Sequence, residues 1–403
     1  MLVVSLLKRS VGSIRVDSIF SEGRINGGFE QVHGTRFDRI TSDVKRLCAG
    51  ILPTSDQIQE KDTFLGRLQQ SINGVLDDAH VSPFGSAVNG FWSPNSDIDV
   101  CVQVSGCRTR ASQLDALRKV ASCLHSISSH YIEPRFTARV PIIHWAPRKN
   151  GYLACDISIN NSLAVVNSRL IGAYSAIDSR VVELGMAIKY WANARGINDR
   201  SRGTISSFSL LLMLIHFLQR RAPPILPSLQ DLAFEKNEPP SYCMGSDIRY
   251  ANDPIIIQNE MDRLSVDHGA PNQESSGELL LEFFRYYGYT YKSGIIGIRD
   301  LRSFHSNTLA DSQVYLVVDN PFEVGKDVAN VNQNQHSRIR QEFRRAFSLL
   351  DSGSGLDDVF CAPELNAFSA SAWGKTQDHP IDPPAQILGN TRTSRNPRHT
   401  RQR

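Results

Sequence analysis

Two aspartates separated by a single residue, Asp97 and Asp99, begin the apolar run from Ile98 to Val104. Because successive side chains of a strand alternate between its faces, a strand here would turn both carboxylates the same way, with Cα atoms about 6.6–6.8 Å apart. Two carboxylates at this spacing can share a hard cation, and Mg²⁺ is commonly held by one or two carboxylates together with substrate phosphates. The pattern predicts a metal-binding strand end, with a solvated strand end or a turn cap as the alternative.

Ten residues lie between Asp97 and an upstream pair, Gly85-Ser86. A Gly-Ser turn can present backbone N–H groups to phosphates. A third acid, Asp156, stands among apolar neighbours in the strand-like run 153–159, where an aspartate is costly unless it is paired, protonated or bound to a metal. The three acids indicate a metal-dependent site for a phosphorylated substrate, and a hydrogen-bonded or ion-paired Asp156 is the alternative.

These residues resemble the signature of the DNA polymerase β-like nucleotidyltransferase superfamily: Gly-Ser, a short spacer, Asp-x-Asp, and a third Asp on a later strand. The resemblance is closest to the trypanosomatid terminal RNA uridylyltransferases, especially the small mitochondrial one associated with an editosome-like complex. It covers roughly residues 35–350. Further blocks similar to non-templated RNA nucleotidyltransferases follow in the same order, at 156–168, 188–197, 205–210, 277–288 and 320–330.

The resemblance implies an α+β fold. A polymerase β-like catalytic domain, with a mixed sheet and helices, would be joined to a mainly helical poly(A)-polymerase-like domain, and the active site would lie in the cleft between them. We expect a mitochondrial presequence or flexible terminus over 1–30, the catalytic domain over 31–160, a helical nucleotide-base-binding domain over 161–350, and a partly folded-back extension with a basic end over 351–403.

Periodicity supports the same alternation of elements. It predicts helices over 37–48, 57–76, 114–128 and 181–195, a helix capped by Ser275 and ending near Tyr287, and strands over 98–104, 139–145, 153–159 and 313–318. The segment 234–273 is polar and proline-containing, and we expect a long surface excursion there.

The resemblance also implies the chemistry: transfer of UMP from UTP to the 3′-hydroxyl of an RNA, with release of pyrophosphate. Asp97 and Asp99 would bind both of two metal ions, and Asp156 would share the catalytic one and accept the proton of the attacking hydroxyl. The implied ion is Mg²⁺, with Mn²⁺ as the second candidate.

Nucleotide-binding roles carry over from the resemblance position by position. The residues implied at the phosphates are Gly85, Ser86, Lys189, Asn193 and Ser207, with helix capping as the alternative for the two serines. The residues implied at the base and ribose are Asn167, Ser168, Phe208, Asn320 and Glu323.

Three positions depart from the family pattern. Asn193 stands where relatives have a second lysine, so the triphosphate clamp would be weaker or completed by Arg195 or another base. Asn320 replaces an acid and Lys326 replaces a histidine beside Glu323. The way in which uracil would be selected therefore differs from that of the relatives.

Charge and composition limit the possible partners. A net charge of +3 creates no global basic field, so RNA binding needs a local patch, and the basic–aromatic stretch 131–149 is a candidate. No apolar run reaches the roughly 18–20 residues of a membrane span. Seven scattered cysteines without a Cys-x-x-Cys pair argue against a zinc site or disulfide framework. The Arg-bearing, acid-poor beginning suits mitochondrial targeting.

Two other functions stay open from the sequence. One is a terminal adenylyltransferase or poly(A) polymerase with the same architecture. The other is a non-catalytic RNA-binding subunit on a degenerate fold, against which the intact Asp97, Asp99 and Asp156 argue. The expected partners are UTP, an RNA 3′ end and editing-complex proteins.

Overall fold

A mixed five-stranded sheet is built from the part of the chain that precedes residue 160. The structure, a computed structural model, describes residues 35–127, 131–146, 153–299 and 316–362. The strands lie in the order β1-β2-β5-β4-β3, and β2 and β5 pair in parallel while the other neighbours are antiparallel. Their bounds are β1 His80–Phe84, β2 Ile98–Gln103, β3 Tyr131–Arg135, β4 Ile142–Ala146 and β5 Cys155–Ile159. The expected α+β fold with a mixed sheet is confirmed.

Strands β2 and β5 are central because they are apolar on both faces. Val100, Cys101 and Val102 are fully buried in β2, and Ile157 is fully buried in β5. The helices α2 Ser55–Asn73 and α4 Arg110–Ile127 contribute Leu68, Ile72, Leu117 and Leu124 to the same core. A short helix, α3 Ser86–Asn89, lies between β1 and β2.

Helices dominate after residue 160. Helix α7, Ser207–Gln219, has a continuous apolar sequence and is almost entirely buried, and it packs with Trp191, Phe283 and Phe343 in one core. The bounds are α5 Ser162–Ser175, α6 Ser179–Ala194, α7 Ser207–Gln219, α8 Leu229–Glu235, α9 Pro254–Asp267, α10 Ser276–Arg285, α11 His336–Asp351 and α12 Leu356–Phe360. Short strand pairs join β6 Tyr242–Cys243 to β7 Ser246–Asp247, and β8 Ile295–Ile296 to β9 Val317–Val318.

The first described helix, α1 Arg36–Ile51, packs on the helical half rather than on the sheet. Ile40 and Val44 belong to the helical core, and Gly277 at the start of α10 donates its N–H to Thr41 Oγ1 at 3.0 Å. A Cβ at Gly277 would come 2.4 Å from the Phe37 carbonyl oxygen, so the two helices touch through their backbones. From its position in the sequence, we expected this helix to belong to the domain 31–160.

Several local expectations differ from the structure. The polar segment 234–273 is not a bare excursion, because it contains the β6–β7 hairpin and the 14-residue helix α9. Strands β1 and β3 were not predicted. In the described part of the chain, no helix combines the length and apolar character needed to cross a membrane.

Some predictions lie outside the described residues. These are the presequence at 1–30, the extension beyond residue 362 and its basic end, and residues 148 and 149 of the basic–aromatic stretch. Where the extension is described, Val359 and Phe360 of α12 are buried against the helical core.

Candidate active site

The three predicted acids lie close together, near the points where the inner strands β2 and β5 begin. Asp97 lies just before β2, and the parallel pairing of β2 with β5 sets Asp99 opposite Asp156. Asp97 and Asp156 are joined there by His144, and one ligand atom from each of these three residues lies within 4.8 Å of the others. The structure therefore brings the predicted acids together and adds a histidine that sequence reasoning missed.

His144 reaches these acids through antiparallel pairing of β4 with β5, which places it opposite Asp156. Its Nδ1 lies 2.6 Å from Asp156 Oδ1, and the two side chains are 17% and 25% exposed. Alternation along the predicted strand 139–145 could have indicated which face of the sheet His144 points to. Alternation could not have indicated which strand pairs with it, and that pairing is what brings His144 to Asp156.

Asp99 is held against the turn at Gly85. Gly85 has φ +62°, and a Cβ there would lie only 2.3 Å from Asp99 Oδ2, so the close approach needs glycine. Burial, followed by repulsion from Asp156 and Asp97, raises the pKa of the Asp99 carboxyl to about 7. A cation bound beside these carboxylates would offset both effects.

Ser168 supports the same turn. Its Oγ accepts a hydrogen bond from the Gly85 N–H at 2.7 Å and donates to the Ala164 carbonyl at 2.7 Å. The hydroxyl that was expected to contact the nucleotide is thus already engaged in positioning Gly85.

Lys189 projects from α6 beneath the site. Its Nζ donates to the Phe91 carbonyl at 2.8 Å, in the segment that leads into β2. Burial lowers the pKa of Lys189 to about 8, and the charge of Asp99 opposes that shift. An ammonium has three donors, so two remain for an anionic ligand.

A cleft of about 1450 Å³ adjoins this cluster and receives side chains from the sheet and the helices. This exceeds the roughly 300–1,000 Å³ of pockets for one small ligand. All ten residues predicted to bind nucleotide line it, and Asp99 does as well; Asp97 and Asp156 are not among the lining residues.

Known proteins share this sequence pattern and architecture. The family described as poly(A) RNA polymerase, mitochondrial-like, central palm domain matches residues 40–176. The poly(A) RNA polymerase cid11 of Schizosaccharomyces pombe is 29% identical over 338 residues, which cover 81% of this chain and 66% of that protein. Human terminal uridylyltransferase 7 is 33% identical over 307 residues, covering 74% of this chain and 20% of that protein.

Solved structures agree over most of the chain. The structure of a cytoplasmic RNA terminal U-transferase superposes with a TM-score of 0.69 at 26% identity, covering 82% of this chain and 99% of that one. The GTP-bound Cid1 poly(U) polymerase gives 0.68 at 26% identity, covering 80% and 98%. The chain therefore has the α+β nucleotidyltransferase fold of these structures. It spans no more than about two thirds of the length of the curated relatives named above.

Nucleotidyltransferases of this fold work with two metal ions, and the residues of this chain fit such a centre. Carboxylate oxygens are the ligands that hard divalent cations prefer. Asp97, Asp99 and Asp156 can supply them, and a bound cation would counter the repulsion from Asp156 and Asp97 that helps to raise the pKa of Asp99.

Two hypotheses about the residues expected to contact the phosphates are wrong. Arg195 cannot replace the missing lysine at Asn193, because its guanidinium pairs with Glu342 at 2.8 Å and it is only 6% exposed. Helix capping does not explain the two serines, because the N-cap residues of α3 and α7 are Gly85 and Ser206. Ser86 and Ser207 both line the cleft at the first turn of a helix.

At the base end of the cleft, one oxygen of Glu323 is held by two donors. Asn320 Nδ2 donates to Glu323 Oε2 at 2.9 Å, and Lys326 Nζ donates to the same oxygen at 2.6 Å. Asn320 is 4% exposed and its Oδ1 accepts the Phe322 N–H at 3.0 Å, so its amide is fixed. Glu323 Oε1 has no partner among the described residues.

Two further residues at this end suit a ligand. Phe208 is half-buried at the start of α7 and lines the cleft. Asn167 also lines it, and its Oδ1 is shielded from water without a hydrogen-bond partner. A buried acceptor of this kind is costly unless a bound group donates to it.

The stretch 131–149 was expected to bind RNA. Among its described basic and aromatic residues, only Arg139 lines the cleft. Arg135 pairs with Glu133 at 3.0 Å, and Trp145 packs on Phe64 in the core of the sheet. Arg200 lines the cleft from the helical half, and burial and the charge of Arg139 lower its pKa.

Proposed function

We propose that this nucleotidyltransferase adds UMP from UTP to the 3′-hydroxyl of an RNA and releases pyrophosphate, with Mg²⁺ as its metal. The observation that carries the proposal is the carboxylate of Glu323, oriented in the cleft by Asn320 and Lys326 with Oε1 left available. The proteins that this chain resembles include both uridylyltransferases and poly(A) polymerases, so base choice must be argued from these residues.

Uracil fits this arrangement of donors and acceptors. Its N3–H would donate to Glu323 Oε1, and the ammonium of Lys326 would donate to the neighbouring O4 carbonyl. Adenine presents an acceptor nitrogen and an amino donor on the corresponding edge, so both contacts would be mismatched. A polar group that the bound base covers without matching it costs about 1–3 kcal/mol. Stacking on Phe208 would add about 1–3 kcal/mol for any base, without selecting one.

At the reacting end, Asp97, Asp99 and Asp156 would hold the metal ions. When bound, two such ions activate the attacking oxygen and neutralise the leaving one. Asp156 would accept the proton of the RNA 3′-hydroxyl. Lys189 would compensate the charge of the terminal phosphates, and Arg139 and Arg200, which line the cleft, would bind the backbone phosphates of the RNA.

The test is a comparison of UTP, ATP, CTP and GTP as substrates for extension of a short RNA, measured as kcat/KM. We expect UTP to be preferred over ATP by about 5- to 150-fold, the equivalent of 1–3 kcal/mol. Preference for ATP would instead identify a terminal adenylyltransferase. If Asp97→Ala extended RNA as well as the unaltered protein, the assigned metal site would be wrong. Failure of the unaltered protein to extend RNA with any of the four nucleotides would instead identify a non-catalytic RNA-binding subunit.

We also propose that the protein acts in the mitochondrion, in RNA editing or processing with other proteins of an editing complex. The support is the sequence before the first acid, Asp17, which contains Lys8, Arg9 and Arg15. Fusion of residues 1–30 to a fluorescent protein tests the location, and a cytosolic signal would refute it. Co-purification of RNA-editing proteins with the tagged chain tests the association.

A further inference from the structure

His144 is half-enclosed beside the acids, and its position is set by strand register. β4 and β5 place it directly opposite Asp156, with Nδ1 2.6 Å from Asp156 Oδ1. A carboxylate only accepts hydrogen bonds, so the Nδ1–H of His144 must be the donor. Hydrogen bonds to an ionised acceptor are among the stronger ones in proteins.

This bond restrains a side chain that would otherwise rotate. The terminal torsion of an aspartate is broad and roughly two-fold, so its two oxygens exchange places easily. With Oδ1 engaged by His144, Oδ2 is the oxygen left for a cation. Asp97 belongs to the same cluster, in which one ligand atom of each residue lies within 4.8 Å of the others.

We propose that His144 is a positioning residue of the metal centre: it orients the Asp156 carboxylate through its Nδ1–H and does not itself ligate the metal. Two arguments exclude ligation by Nδ1. That nitrogen is committed to Asp156, and Mg²⁺ prefers oxygen ligands to imidazole. The inference rests on the proposed function only in taking Asp156 as a metal ligand.

Loss of an outer partner of this kind typically weakens metal affinity by about 10–100-fold. His144→Leu removes the donor at similar size. His144→Asn keeps one, because the Asn Nδ2 can take the place of the imidazole Nδ1–H. His80→Leu is the matched control, since His80 is an exposed histidine of the same sheet, on β1.

The experiment titrates Mn²⁺ into nucleotide-free protein and follows free Mn²⁺ by electron paramagnetic resonance. We expect His144→Leu to weaken binding about 10–100-fold, while His144→Asn and His80→Leu stay close to the unaltered protein. Unchanged binding in His144→Leu would overturn the proposal, and so would equal losses in the Leu and Asn variants, because the Nδ1 donor would then not matter.

Pulsed electron paramagnetic resonance of the unaltered, Mn²⁺-loaded protein gives a second test that needs no variant. We expect no directly coordinated ¹⁴N signal, and an imidazole nitrogen in the first coordination sphere would make His144 a ligand and refute the proposal. Neither measurement uses UTP or RNA. A failure of uridylyl transfer would therefore leave these results unaffected and could be told apart from a failure of the His144 proposal.

Discussion

The contact between Gly85 and Asp99 allows a sharp test of the site. An alanine at position 85 would place its Cβ 2.3 Å from Asp99 Oδ2, whereas ordinary contact begins at 3.4 Å. The difference between these distances, 1.1 Å, is the movement that Gly85→Ala demands of the carboxylate or the turn. A misplacement of about 1 Å in a catalytic site can cost about 10²-fold in rate. We therefore expect kcat/KM for RNA extension to fall by about that factor.

The substitution also strains the backbone, and this effect must be separated from the displacement of Asp99. A non-glycine residue in a sparsely populated region costs about 1–3 kcal/mol. Gly106→Ala is the matched control, because Gly106 has φ +81° and nothing lies within 4 Å of its prospective Cβ. Both variants should lose similar free energy of unfolding in a denaturant titration, and only Gly85→Ala should lose activity.

Equal activity of the two variants, each corrected for its folded fraction, would refute the reasoning. It would mean that the turn at Gly85 relaxes without moving Asp99, or that Asp99 is not part of the reacting centre. Mn²⁺ affinity of the folded Gly85→Ala protein distinguishes these outcomes, since a displaced Asp99 would weaken metal binding.

Three other predictions follow from separate parts of the molecule. Glu323→Gln turns an obligate acceptor into a group that can donate, so the UTP-to-ATP preference should fall by about 5- to 150-fold in a competition assay; an unchanged ratio would exclude Glu323 from base selection. Arg195→Leu leaves Glu342, whose side chain is 14% exposed, without its ion-pair partner and should lower the free energy of unfolding by up to about 3–5 kcal/mol; the KM for UTP should not rise, since Arg195 lies outside the cleft lining. Burial lowers the pKa of His216 to about 3 from 6.5. The unfolded chain therefore binds the extra proton between those values, and unfolding free energy should drop by about 2 kcal/mol from pH 7 to pH 5, a slope that His216→Phe should remove.

Local sequence patterns predicted those helices and strands whose hydrophobicity or capping residues are distinctive. The apolar run after Asp97 is a central strand because it is hydrophobic on both faces, and Ser275 caps α10 because its hydroxyl accepts the Glu278 N–H at 3.3 Å. Strand β3 escaped prediction because it is an edge strand: its pattern is mostly exposed, and it contains Pro134, which only an edge or a bulge accommodates.

Helical periodicity does not show which of two basic residues on one helix reaches the cleft. Lys189 and Arg195 lie less than two turns apart at the end of α6, and both were candidates for the phosphate end. Lys189 reaches the cleft, whereas Arg195 is held by Glu342 of α11, 147 positions further along the chain. The partner that decides between them is remote in sequence, so no local pattern could have named it.

By itself, the sequence determined that Asp97 and Asp99 leave one strand on the same side, because alternation is a property of the strand backbone. Only the tertiary structure decided that β5 lies parallel to β2 and antiparallel to β4, which sets Asp156 between Asp99 and His144. Register between strands depends on how the whole sheet buries its faces, and that is why the histidine beside the acids became visible only in the folded chain.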